Sequence, residues 1–506
     1  MNQIVLTTIN ARYTHSSFGL RYLYANLNEY QQATAILEFV KTDDINEIAE
    51  KVLKENPTIV GIGVYIWNAV EISKLVKVIK KVSPKTIVVL GGPEVSHSPF
   101  RVDFNSADFI IQGEGDLEFY NLVNSILIGT KPGERIIKAP IPDISKINLP
   151  YDFYTDDDVK NRVIYVEASR GCPFTCEFCL SSIDKSVRNF DTQLLLSEFD
   201  KLWNRGVRQF KFVDRTFNLN IKITNLILDY FLSKEPEYFL HFEVIPEHFP
   251  DTVKEKLKLF PPASLQLEIG IQTLNQEVAD RISRKLNFEK IKENIAFLTE
   301  QTNNHLHLDL IIGLPGETIE SFGKNLNVLT SITDSEIQLG LLKKLSGTLI
   351  DRHDIEFGMI YSDIPPYEIL KNNLISFTQM QKMKRFSRYW DLTYNSGNFK
   401  RSIILLWKDG ETYQNFYDFS EWLYSELKTT WQIALNRLAE LLFIYLTEVL
   451  LLDKTDTANL LAEDFMVYNN RRVPHFLKEF VFFSSTDNSI KIGKKIKRQM
   501  KHIQKN

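Results

Sequence analysis

The sequence predicts an α/β chain in three parts: an N-terminal Rossmann-like doubly wound sheet, a central partial (β/α)6 barrel of the TIM type, and a C-terminal domain that is mostly helical. Three observations predict it. Short apolar runs alternate with amphipathic stretches over residues 1–130 and again over 163–345, the signature of βα units. From about residue 350 the strand-like runs give way to helical, aromatic-rich sequence. At roughly 150 residues per domain, a chain of 506 residues has room for about three cores.

Residues 1–135 hold five apolar runs, "QIVLTT", "TAILEF", "TIVGIGV", "TIVVLGG" and "DFIIQGEGD", which read as buried parallel strands. Between them "INEIAEKVLKEN" and "AVEISKLVKVIKKV" have helical spacing. The turns "GGPEVS" and "GEGD" follow strands directly, which places them at the carboxyl edge where such sheets bind ligands. Residues 136–160 are rich in Pro, Asp and Lys and read as a linker. Residues 161–348 supply six further strands, "VIYVEAS", "RQFKFVD", "FLHFEVI", "SLQLEIG", "HLHLDLII" and "EIQLGLL". Six units are too few for a closed eight-stranded barrel, so an open one is expected. Glu167, Asp214, Glu243, Glu268 and Asp309 fall at its strand ends. Each alone reads equally well as a helix cap, whereas five in one register mark a site edge. Lys343 follows the sixth strand and reads chiefly as a surface residue, the alternative being one that reaches the cavity. Residues 349–506 form the helical part, whose aromatics read chiefly as core.

Composition removes several classes. A net charge of -4 gives no global attraction to nucleic acid or membrane. No apolar stretch reaches the ~20 residues that cross a bilayer. The richest, "LAELLFIYLTEVLLL", contains Glu440 and Glu448 and reads as a buried helix. The N-terminus lacks a basic segment followed by an apolar one, so a cytoplasmic location with reduced thiols is expected. The tail "KIGKKIKRQMKHIQKN" has seven basic residues, a solvated terminus or a contact for RNA or an acidic partner.

All three cysteines lie in "GCPFTCEFC", residues 171–179. An odd, clustered set does not make a disulfide framework. Three thiolates also leave a tetrahedral metal one ligand short, which keeps a position open for chemistry. Cys172, Cys176 and Cys179, with Phe178 before the third, form a CxxxCxxC signature directly after the first barrel strand. In this they resemble the radical S-adenosylmethionine superfamily. The resemblance implies three thiolates on three irons of a four-iron, four-sulfur (4Fe-4S) cluster, with S-adenosylmethionine on the fourth iron and cleaved there to a 5′-deoxyadenosyl radical. It also implies cofactor contacts by Asp214, where the family's preceding glycines are missing, by Glu243 and Glu268 to the ribose and methionyl carboxylate, and by Gly313 of "IIGLPGE" beside adenine, a stretch that a simple turn also explains.

A Rossmann-like domain ahead of this loop is similar to the cobalamin-dependent class of that superfamily. The resemblance implies that Gly91, Gly92, Pro93 and Glu94, with Gly113, Glu114 and Gly115, surround the nucleotide tail of cobalamin, glycine being needed where a bulky base lies against backbone. The Asp-x-His-x-x-Gly loop of methyl-carrying cobalamin domains is not matched: in "NARYTHSSFGLRY" His15 is present, Tyr13 replaces the Asp, and Gly19 is one position late. His15 is either a lower ligand of cobalt or a polar residue near the corrin or the domain interface. Tyr65 of "YIWN" is either near cobalt's lower face or core.

What this implies is C-methylation of an unactivated carbon, on a small-molecule or peptide substrate, by a monomer that takes electrons from a donor such as flavodoxin or ferredoxin. Relatives with the same domains catalyse ring rearrangement or cyclisation, with the N-terminal domain on cobalamin or on substrate. An RNA-methylthiolating enzyme would carry further cluster cysteines in its N-terminal domain, and this chain has none. A cobalamin sensor would have no use for the cysteine loop.

Overall fold

The computed structural model describes residues 3–130, 132–407, 410–467 and 471–481. The basic tail expected at 491–506 lies outside the described residues. The chain divides into two compact units, one of Met1–Phe242 with Lys343–Arg352 and Tyr361–Glu368, the other of Glu243–Leu342, His353–Ile360 and Ile369–Asn506.

The first unit opens with β1 (Ile4–Asn10), α1 (Phe18–Ala25), β2 (Thr34–Val40), α2 (Ile45–Lys54), β3 (Ile59–Gly63), α3 (Ala69–Val82), β4 (Ile87–Gly91), β5 (Phe109–Gln112), α4 (Glu118–Leu127) and β6 (Ile136–Lys138). The strands pair in the order β2-β1-β3-β4-β5-β6, and every pairing is parallel. Apolar runs are needed because both sheet faces are covered. Val5 and Ile9 of β1 point into a core with Ile48 of α2 and Ile72 and Leu75 of α3. Ile4 and Leu6 point into a second core with Leu20 of α1 and Phe119 of α4. Each aliphatic side chain so buried contributes about 1.5–3 kcal/mol.

The strand order reverses between β1 and β3, and one amide holds that switch point. Asn68 is fully buried. Its Nδ2 donates to Ile9 O at 3.0 Å, Gly63 O at 3.2 Å and Thr8 Oγ1 at 3.1 Å, while its Oδ1 accepts from Tyr65 N at 2.8 Å.

The stretch expected to be linker differs in two respects. Ile136–Lys138 is a sixth strand, paired with β5; three residues flanked by charges are too short to show a period. Further on, α5 (Asp156–Asn161) begins with a capping box on Thr155 and is tied back by Arg21, which pairs with Glu38 at 2.6 Å and Asp158 at 2.7 Å. This segment is therefore anchored.

The six later strands are all present. β7 (Ile164–Val166), β10 (Gln209–Phe212) and β11 (Phe239–Val244) run parallel as neighbours; β8 (Ser169–Arg170) and β9 (Arg188–Asn189) form a short antiparallel pair between them in sequence. In the second unit β12 (Leu265–Gln272), β13 (His305–Ile312) and β14 (Glu336–Leu341) are likewise parallel. Helices at Phe377–Thr393, Thr412–Leu427, Leu435–Ile444 and Lys454–Met466 follow. Their aromatics are core: Phe386, Tyr389, Trp390 and Phe416 are fully buried. Trp390 donates its indole N–H to Ile337 O of β14 at 2.9 Å, and Asn395 holds the same residue by two bonds of 2.9 Å. Among the described residues no helix is long and apolar enough to cross a membrane.

Asn68→Ala strands buried carbonyls at the β1–β3 junction and is expected to destabilise the chain by about 1–3 kcal/mol; a shift in the urea midpoint measures it.

Candidate active site

The cysteine loop leaves β7 and is closed at its base by β8 and β9, where Ser169 faces Asn189 and Arg170 faces Arg188. The turn into it requires glycine: Gly171 has φ +87°, and a Cβ there would stand 2.1 Å from Ser186 O. Cys172 N donates to Asp184 O at 2.9 Å and Cys179 N to Cys176 O at 3.2 Å. Glu177, between the second and third cysteines, is buried and pairs with Arg352 at 2.5 Å. None of the three thiols is in a disulfide; Cys172 and Cys176 are buried, and Cys179, like Phe178 before it, is half-buried. Burial pushes the Cys172 thiol up, and Cys179 and Cys176 add to this, so the three thiols act on one another electrostatically. Thiols of this kind become thiolates when a cation arrives to balance them. With no fourth cysteine in the chain, the donor set fits three irons of a 4Fe-4S cluster and leaves one iron open.

Asp214 is the residue expected to meet the methionine amino group. It is buried just past β10, accepts from Ala168 N at 2.9 Å and from Ser169 Oγ at 2.6 Å, and so straps the start of the cysteine loop to the next strand. Burial pushes its pKa up to about 7 against the lowering effect of those bonds.

A cavity of about 310 Å³ lies at the carboxyl ends of β3, β4 and β5. Of the residues expected around cobalamin, Tyr65, Gly91, Gly92, Pro93, Gly113 and Gly115 line it. Gly92 has φ +110°, and a Cβ there would meet Val64 O at 2.5 Å. Tyr65 stacks on Trp67 with ring centroids 4.5 Å apart. The glycine walls fit a flat base and its ribose, as the nucleotide tail of cobalamin requires. A larger cavity of about 1170 Å³ shares Gly113 but touches neither the cysteine loop nor Arg170.

Three expected residues are not in the smaller cavity. His15 places Nδ1 2.5 Å from the Tyr165 hydroxyl of β7, and burial lowers its pKa, so it is a neutral residue packed on the next domain's first strand. Glu94 accepts a hydrogen bond from the Tyr367 hydroxyl. Glu114 pairs with Arg170 at 2.8 Å and with Arg188. Sequence reasoning missed Gly61 and Gly63 of β3, which the run "GIGV" displays, and missed Arg170; Asp116, at the end of the "GEGD" turn, and the strand-end acid Glu167 also line the cavity. Arg170, two residues before Cys172, pairs with Asp116 and Glu114 at 2.8 Å each and with Glu167 at 2.9 Å, and its guanidinium lies 4.7 Å from the Tyr22 ring centroid. The wall of the cavity and the root of the cysteine loop thus share one ion network.

In the second unit Glu268 faces His307 across β12 and β13, and Asp309 is two residues further along. Burial raises the Asp309 carboxyl well above its ordinary range, and Glu268 and Glu243 raise it further. Glu243, Glu268 and Asp309, three of the five strand-end acids, are thus in electrostatic contact with one another at this edge. Gly313 has φ +89°, and a Cβ would stand 2.9 Å from Ile369 Cγ2, so packing alone requires glycine there. Lys343 is exposed, as expected.

Arg170→Met leaves Glu167 and Asp116 without their buried partner and is expected to cost about 3–5 kcal/mol, read from denaturant midpoints at pH 8. Asp214 gives a pH signature. A carboxyl raised from 3.8 to about 7 favours its protonated form in the fold, so its contribution is full below about pH 4 and is lost as pH rises to about 7. Asp214→Asn should flatten the wild-type decline in urea midpoint across that window; parallel curves would show that the strap does not titrate.

Residues 4–123 match the B12 binding domain, residues 166–329 the radical SAM superfamily and residues 355–505 a protein family of unknown function, DUF4080. Uncharacterized methyltransferase PH0819 of Pyrococcus horikoshii is 29% identical over 234 residues, 41% of this chain and 50% of that protein. Cobalamin-dependent radical SAM methyltransferase TokK of Streptomyces tokunonensis is 24% identical over 340 residues, 59% of this chain and 49% of that protein. The chain spans about half the length of these curated relatives. The solved structure of the radical S-adenosylmethionine methyltransferase TsrM from Kitasatospora setae shares the fold, with a TM-score of 0.60 at 15% identity over 75% of this chain and 81% of that one. The chain thus contains a B12 binding domain, whose glycine-walled cavity is joined by Arg170 to a three-cysteine loop at the start of a radical SAM domain.

Proposed function

We propose that the chain is a cobalamin-dependent radical SAM C-methyltransferase acting on an unactivated carbon of a small-molecule or peptide substrate, with electrons supplied by a donor such as flavodoxin or ferredoxin. The observation that carries this reading is the Arg170 network, because it fixes a cavity suited to a nucleotide tail to the root of a loop suited to a 4Fe-4S cluster. When bound, the cluster with S-adenosylmethionine supplies the radical that removes hydrogen, and cobalamin supplies the methyl group.

The chain's own residues have narrower tasks. Cys172, Cys176 and Cys179 hold three irons. Gly171 allows the loop its tight entry, Asp214 straps its first residues, and Arg352 clasps Glu177 inside it. Gly91, Gly92, Gly113 and Gly115 leave a wall without side chains for the tail of cobalamin. His15, against the Tyr165 hydroxyl, packs the N-terminal sheet on the first strand of the next domain.

Anaerobic purification with hydroxocobalamin tests the proposal. The wild-type chain is expected to hold about four irons together with a corrinoid spectrum, and to form 5′-deoxyadenosine when reduced with S-adenosylmethionine. Cys176→Ala should lose the iron and keep the corrinoid, because no cysteine lines the cavity. A fully loaded cluster with no bound corrinoid would instead identify a radical enzyme whose N-terminal domain binds its substrate.

A further inference from the structure

We propose that Glu268, His307 and Asp309 form a binding site for a divalent first-row transition metal, separate from the cysteine cluster. Sequence spacing alone does not reveal it, since Glu268 and the pair His307 and Asp309 come from different strands. The register brings them together: Glu268 is the direct partner of His307, and Asp309 lies on the same face opposite Gly270, which has no side chain to intervene. One carboxylate oxygen from each acid and one ring nitrogen of His307 all lie within 4.8 Å of one another. Donors at ~2.1 Å from one ion stand no more than ~4.2 Å apart, so closing the triad requires side-chain movement of an ångström or less.

A second observation points to a missing partner. Oδ1 of Asp309 is shielded from solvent and has no hydrogen-bond partner. Burial of such an oxygen is unfavourable unless a proton or a cation meets it. Two carboxylates with one imidazole are a mixed oxygen and nitrogen set. It suits Mn²⁺, Fe²⁺ or Zn²⁺ better than Mg²⁺ or Ca²⁺, which favour all-oxygen shells, and better than soft ions, which favour thiolates. All three side chains are only half-buried, so an ion held there keeps open positions. On the radical-enzyme reading above, on which this last step rests, those positions hold an oxygen of the substrate.

The test is metal binding by the full-length, cluster-loaded chain under anaerobic conditions. Mn²⁺ alone is titrated and its free-ion EPR signal followed. The wild type should bind one Mn²⁺ per chain, displaced by Zn²⁺. Asp309→Asn and His307→Ala should each weaken binding by about tenfold or more with iron content unchanged. A chain with Cys172, Cys176 and Cys179 all changed to Ala should still bind Mn²⁺, which separates this site from the fate of the radical reading. Absence of a stoichiometric Mn²⁺ or Zn²⁺ site in the wild type would overturn the proposal and leave a proton shared among the acids. Binding that survives both substitutions would overturn it too, and the wild-type titration decides even where a variant fails to fold.

Discussion

Arg170 cannot leave its place without stranding two carboxylates, those of Asp116 and Glu167. Glu114, Asp116 and Glu167 all lie within a hydrogen bond of its guanidinium, and the Tyr22 ring covers one face. Moving one ion of this kind out of water is unfavourable by several kcal/mol, so the set is stable only when complete. Its geometry is thereby over-determined. Glu114 and Asp116 belong to the turn after β5, Glu167 to the end of β7, and Arg170 itself to the strand that opens the cysteine loop. A shift of the turn would pull the loop with it, and the glycine cavity between them keeps its shape for the same reason.

Local rigidity of the cysteine loop has a parallel origin. Gly171 removes the only side-chain atom that would strike Ser186, and Asp214 spends its oxygens on Ala168 and Ser169. The thiols are thus presented from a backbone held at both ends. Burial discourages ionisation of Cys172 in the absence of a counter-cation, and a strongly charged inorganic partner supplies one.

Much of this was legible in the sequence because its causes are local. Parallel strands covered on both faces must be apolar, and all eleven proposed strand runs are found as strands. The cysteines stood out because the chain contains no others. What sequence did not disclose depends on partners far away along the chain. Arg170 meets Asp116 across 54 residues and Tyr367 meets Glu94 across 273, and no periodicity reports such pairs. His307 looked like one polar position in an alternating strand until register set it against Glu268. Gly313 was visible as a special position, but its neighbours Ile369 and Met380, which explain it, were not. The strand β6 fell below the length at which alternation is measurable.

The chain does not run through its two units once each. After Leu342 it returns to the first unit for Lys343–Arg352 and again for Tyr361–Glu368, and these returns deliver Arg352 to Glu177 and Tyr367 to Glu94. A protease or a gene truncation that stopped after β14 would therefore release an N-terminal fragment whose sulfur-bearing loop had lost its clasp. Neither half is a self-sufficient module, and the molecule has to be synthesised well past its last barrel strand before its first cofactor loop is finished.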